Sequence, residues 1–125
     1  MFKNFLVSEL IAEGKHLVEA LDSDGFPVAA AFWFKPSDSD TWRLTIATPL
    51  EDKIGPMAAY TRVDNVLEKL AASQLSLTDI SIVSPRDPDF QYLRFKAAGP
   101  GGPTLGAVGG PLANKIFLDS YIYRI

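Results

Sequence analysis

VAAAFWFKPSDSDTWRLTIAT, residues 28–48, sets two runs rich in aromatic and β-branched residues on either side of Pro36-Ser37-Asp38-Ser39-Asp40. Aromatic and β-branched side chains favour strands, while proline, serine and aspartate favour turns, so the segment predicts a β-hairpin. Its strands are expected over 27–35 and 41–48. A loop over residues 36–40 places Phe34 opposite Trp42, Trp33 opposite Arg43 and Phe32 opposite Leu44. One face then carries Val28, Ala30, Phe32, Phe34, Trp42, Leu44 and Ile46, the expected core. The other carries Ala29, Ala31, Trp33, Arg43, Thr45 and Ala47, a mixed and shallow surface.

Residues 4–22 precede the hairpin and read as a helix. Leu6, Val7, Leu10, Ile11, Leu17, Val18 and Leu21 recur at helical spacing, with Gly14 on the same stripe. Asn4 is the expected N-cap, and Asp22-Ser23-Asp24-Gly25 ends the helix. After the hairpin a second helix is expected over 56–71, with Pro56 at its first position. Ser76-Leu77-Thr78-Asp79 predicts a single helical turn and Ile80–Val83 a short strand, stopped by Ser84-Pro85. A third helix is expected from Asp87-Pro88 to Lys96, burying Phe90 and Leu93. Residues 99–111, GPGGPTLGAVGGP, hold six of the nine glycines and predict a long flexible loop. Residues 116–125 read as a final strand, with a bulge or bend near Asp119-Ser120.

The order is therefore α-β-β-α-β-α-β, an α+β fold filling residues 1–125 as one domain. The second and third strands are linked by a connection of crossover length, so they should run parallel. The expected architecture is a mixed four-stranded sheet with helices mainly on one face.

Composition narrows the function classes. The chain has 125 residues, 47% apolar and 22% charged, which is ordinary for a globular domain. It has no cysteine, which removes disulfide frameworks, thiolate metal sites and thiol nucleophiles. The twelve basic residues are scattered against fifteen acidic ones, with a net charge of −3, so a nucleic-acid partner is not expected. Neither a signal peptide nor a membrane span is read, which predicts a cytoplasmic protein with no membrane partner.

IATPLEDKIGPMAAY, SLTDISIVSPRDPDF and DSYIYRI, in that order along most of the chain, resemble segments of a family of short bacterial proteins of unknown function. The resemblance implies a stand-alone bacterial domain and supplies no substrate, cofactor or site.

Motifs with a defined chemistry fail residue by residue. Gly101 and Gly106 have P-loop spacing, but Ala107 stands where the phosphate-binding lysine belongs. Thr104 stands where a dinucleotide fingerprint needs its third glycine. His16 is the only histidine; with Glu9 and Glu13 it lies off the apolar stripe, where a solvated polar face explains all three. Asp22-Ser23-Asp24-Gly25 and Asp38-Ser39-Asp40 lack the later ligands of a calcium loop, and turn chemistry accounts for them. The order helix, hairpin, helix also occurs in metal-dependent nuclease cores, but these strands carry almost no acids to hold magnesium. No metal or cofactor is expected and no catalytic residue is assigned.

Two surfaces remain. On the outer hairpin face, Arg43 should stack on Trp33 beside Thr45, a flat aromatic-and-arginine patch of the kind used in protein contacts. At the ends of the parallel strands, Thr48, Lys53, Ser84 and Arg86 should gather near two helix starts, where a small anionic ligand would bind. The first predicts a non-enzymatic domain that forms a homodimer or docks on another protein. The second predicts binding or enzymatic handling of an anionic metabolite.

Overall fold

A computed structural model describes residues 8–36, 41–71, 75–88, 90, 91, 94, 106–108 and 117–124, with backbone alone for 36, 106–108 and 117–120. Its elements are α1 (Ser8–Ser23), β1 (Ala30–Pro36), β2 (Arg43–Ala47), α2 (Leu50–Ile54), α3 (Pro56–Leu70), a 3₁₀ turn (Leu77–Asp79), β3 (Ile80–Val83), β4 (Gly106–Val108) and β5 (Phe117–Arg124). The sheet order is β3-β2-β1-β5-β4. β1 runs antiparallel to β2 and β5, β4 runs antiparallel to β5, and β2 and β3 are parallel. The fold is the expected α+β arrangement around a mixed sheet. Within the glycine-rich stretch expected as a loop, Gly106–Val108 adds a short strand at the sheet edge.

α1 forms because Leu10, Gly14, Leu17, Val18 and Leu21 make one buried stripe at helical spacing. α3 does the same with Ala59, Val63, Val66 and Leu67. Both stripes pack on one face of the sheet, against Ala31 and Trp33 of β1, Leu44 and Ile46 of β2, and Ile80 and Ile82 of β3. The opposite face carries a smaller cluster of Ala30, Phe32, Ala47, Ile122 and Phe90. Phe90 follows a start signal that behaves as expected: the Asp87 carboxylate accepts the Phe90 N–H at 3.0 Å. Residues 88, 90, 91 and 94 are helical, while Leu93 and Lys96 of the expected third helix lie outside the described residues.

α2 was not expected. A helix of five residues is too short to print a periodicity, and Gly55 separates it from α3. Gly55 has φ 88°, a conformation that costs other residues strain, and Pro56 then opens α3. The 3₁₀ turn is closed by a capping box, in which Ser76 N–H donates to the Asp79 carboxylate at 3.0 Å.

The hairpin register differs from the expected one by a single residue. Trp33 pairs with Leu44, Phe32 with Thr45 and Phe34 with Arg43. In a strand a slip of one residue exchanges the faces of the facing strand. Leu44 and Ile46 therefore share a face with Ala31 and Trp33, not with Phe32.

Candidate functional site

The slip removes the expected contact patch. Trp33 is 0% exposed, and its indole N–H donates to the Tyr123 hydroxyl at 3.0 Å. It does not stack on Arg43. The Tyr123 hydroxyl in turn donates to the Ile11 carbonyl in α1 at 2.5 Å. Pairing of β1 with β5 steps from Ile122 to Arg124 at this point, and the irregularity falls at Tyr123, beneath α1. Burial pushes the Tyr123 phenol well above its ordinary pKa, so it stays protonated and free to donate.

Arg43 lies across β3. Its Nε donates to Ser81 Oγ at 2.7 Å, and its two terminal nitrogens donate to the Thr78 and Ile80 carbonyls at 3.1 and 3.0 Å. Thr45, the third member of the expected patch, is 3% exposed, and its hydroxyl has no hydrogen-bond partner among the described residues. A buried hydroxyl without a partner retains its desolvation penalty. Thr45→Val should therefore leave stability unchanged or raise it by about 1 kcal/mol in thermal denaturation. A loss of that size instead would mean the hydroxyl is bonded in solution.

The second expected site is partly assembled, around a carboxylate of the chain's own. Asp52 of α2 accepts Ser84 Oγ at 2.7 Å and Arg86 Nη2 at 3.1 Å, and the Arg86 N–H donates to Ser84 Oγ at 3.1 Å. The Ser84 hydrogen bond, then that of Arg86, holds the Asp52 carboxyl below its ordinary range. Among the described residues the adjoining cleft, about 460 Å³, is lined by Glu51, Asp52 and Asp87 against Arg86 as the one cation. That balance disfavours an anion. Thr48 is fully buried, its hydroxyl accepting the Leu50 N–H at 3.2 Å, and Lys53 does not line the cleft. The structure thus brings Ser84 and Arg86 together and leaves Thr48 and Lys53 apart from them.

Glu13 is not simply solvated, as the sequence suggested. Its carboxylate accepts the Leu75 N–H at 2.9 Å and ties α1 to the chain entering the 3₁₀ turn. His16 and Glu9 are exposed. Among the described residues no group of three or more His, Cys, Asp or Glu is placed to hold a metal ion, and no helix is long and apolar enough to cross a membrane.

Two features escaped the sequence reading. A groove of about 450 Å³ runs between α1 and β5, lined by Ile11, Val18, Tyr121 and Tyr123 together with Lys15, Glu19 and Arg124. Arg124 is already committed: it donates to both Asp22 carboxylate oxygens at 3.0 and 2.7 Å and to the Val28 carbonyl at 3.1 Å. That hydrogen bonding lowers the Asp22 pKa and raises that of Arg124. The other feature is the bend between α2 and α3, where Ile54 is 44% and Met57 82% exposed. Pro56 and Ala58 beside them are exposed too, so Ile54-Gly55-Pro56-Met57-Ala58 presents an apolar ridge. The signal was in the sequence as a glycine-proline break flanked by apolar residues, which reads as a helix boundary and says nothing of exposure. No family model, curated protein or solved structure matches the chain.

Proposed function

We propose that the protein acts without catalysis, as a domain that associates through a protein surface, with a second copy of itself as the first partner. The observation that supports this reading is the solvent-exposed pair Ile54 and Met57 at the α2–α3 bend. Single exposed apolar residues are common, but here two large ones share a short bend with exposed Pro56 and Ala58. The bend is held at both ends by helix, so the ridge is presented without the ordering entropy of a loose loop. Methionine suits such a role because its unbranched thioether adapts to an irregular partner. Of the polar groups nearby, the Asp52 carboxylate is already paired within the chain, accepting from Ser84 and Arg86.

A ridge of this size serves as an anchor within a larger interface, where a few central residues carry most of the binding energy. Burying one methionine side chain contributes about 1.5–3 kcal/mol. Met57→Asp should therefore weaken dimerisation by about tenfold to a hundredfold in sedimentation velocity across a concentration series. Lys53→Glu, a charge change on neighbouring α2, should alter it far less. A wild-type protein that stays monomeric at hundreds of micromolar, on the order expected for weak dimers, would sink the self-association reading.

A further inference from the structure

We infer that the outer edge of β3 is guarded against strand addition, with Arg43 and Tyr60 each occupying a backbone group that an extended segment of another polypeptide would use. This is independent of the α2–α3 ridge. Among the described residues β3 ends the sheet and pairs only with β2. Such an edge offers a row of N–H and C=O groups as a template for another strand. The groups that face β2 include the Val83 carbonyl, which accepts the Thr48 N–H at 2.9 Å. Alternation along a strand then turns the backbone groups of Ile80 and Ile82 outward.

Three of those four outward groups are taken by the chain itself. The Ile80 N–H closes the 3₁₀ turn on the Leu77 carbonyl. The Ile80 carbonyl accepts Arg43 Nη2 at 3.0 Å. The Ile82 N–H donates to the Tyr60 hydroxyl at 3.0 Å. The two plugs arrive from opposite sides. Tyr60 comes from α3, which packs on the face of Ile80 and Ile82. Arg43 comes from β2 and bonds Ser81, the residue of β3 whose side chain projects to the other face, on its way to the edge. Each plug is also suited to exclusion. The guanidinium brings a charge that an incoming strand would have to desolvate, and the phenol hydroxyl holds the Ile82 N–H that such a strand would need. A three-way hydrogen-bonded arginine and a buried-side tyrosine are therefore expected to keep a four-residue strand from pairing with a second copy.

Hydrogen exchange at the Ile82 amide tests this. The parent for the test is Met57→Asp, so that association through the ridge does not intrude. In that parent the Ile82 amide should exchange slowly, at a rate independent of protein concentration. Tyr60→Phe keeps the ring and removes the acceptor, and should speed exchange about tenfold or more. Adding Arg43→Ala should open the edge. Protection of Ile82 should then return as concentration rises, together with a larger species in sedimentation. Circular dichroism reports whether the double variant is folded; should it unfold, Tyr60→Phe alone decides. The inference is overturned if the Ile82 amide stays protected without the Tyr60 hydroxyl. It is equally overturned if the folded double variant remains monomeric with fast exchange at every concentration.

Discussion

Trp33→Ala is expected to remove about 3–5 kcal/mol of folding stability, the range for deleting a fully buried large aromatic. Against a typical total of about 5–15 kcal/mol, that leaves a marginal protein. The effect is large because Trp33 is the biggest of the fully buried side chains and joins three elements. Its ring packs under α1 in the main core, and its indole N–H is bonded to Tyr123 of β5. Urea denaturation gives the loss directly, and the midpoint should fall steeply. Trp33→Phe should cost less, because it keeps much of the ring volume and forfeits chiefly the hydrogen bond to Tyr123. Had the indole been an exposed contact residue, Trp33→Ala would have changed association and spared stability. A loss below about 0.5 kcal/mol would match that surface placement and contradict the register described here.

Gly14→Ala should also destabilise, by about 2–4 kcal/mol, although in an open helix interior the same change gains about 1 kcal/mol. Space decides the sign. A Cβ at Gly14 would collide with the Tyr123 hydroxyl and stand 3.0 Å from the Trp33 indole nitrogen. The hydroxyl is the far end of a side chain, but it is not free to swing away. It accepts from Trp33 and donates to the Ile11 carbonyl, so displacing it breaks one bond or both. The control is Gly14→Ala in a Tyr123→Phe background, where the colliding atom is gone. The penalty should shrink there by 1 kcal/mol or more, a coupling of the size neighbouring residues show in double-mutant cycles. An alanine at 14 that raises the melting temperature of the wild type would mean that α1 does not approach β5 this closely.

The elements were largely legible in the sequence, and the faces of the central strand were not. β3 reads cleanly because Asp79 and Ser84-Pro85 bracket four alternating residues. α1 and α3 read cleanly because each buries a single stripe. Residues 29–34, AAAFWF, are apolar at every position. β1 lies in the middle of the sheet with a core on each side, so its pattern carries no alternation to fix which side is which. Loop length then became the only guide to register, and it misplaced Trp33, Arg43 and Thr45 together. The same weakness hid the polar contacts that matter. Nothing near Trp33 in sequence announces Tyr123, and nothing near Arg43 announces the carbonyls of Thr78 and Ile80. The second site is hidden for a different reason: Asp52, which accepts from Ser84 and Arg86, lies on a helix too short to show in the pattern.

The central position of β1 also sets the order in which the molecule can be assembled on the ribosome. Trp33 and Tyr123 are 90 residues apart, which at typical synthesis rates is roughly 5–20 s of translation. Through that interval β1 has β2 on one side and nothing on the other, while AAFWF is already outside the tunnel. α1, made first, cannot yet rest on Tyr123. A nascent chain holding a bare, strongly apolar strand for seconds is a substrate for a holding chaperone and a seed for aggregation at high expression. Slowing translation before residue 117 should therefore lower soluble yield more than an equal delay placed before residue 28.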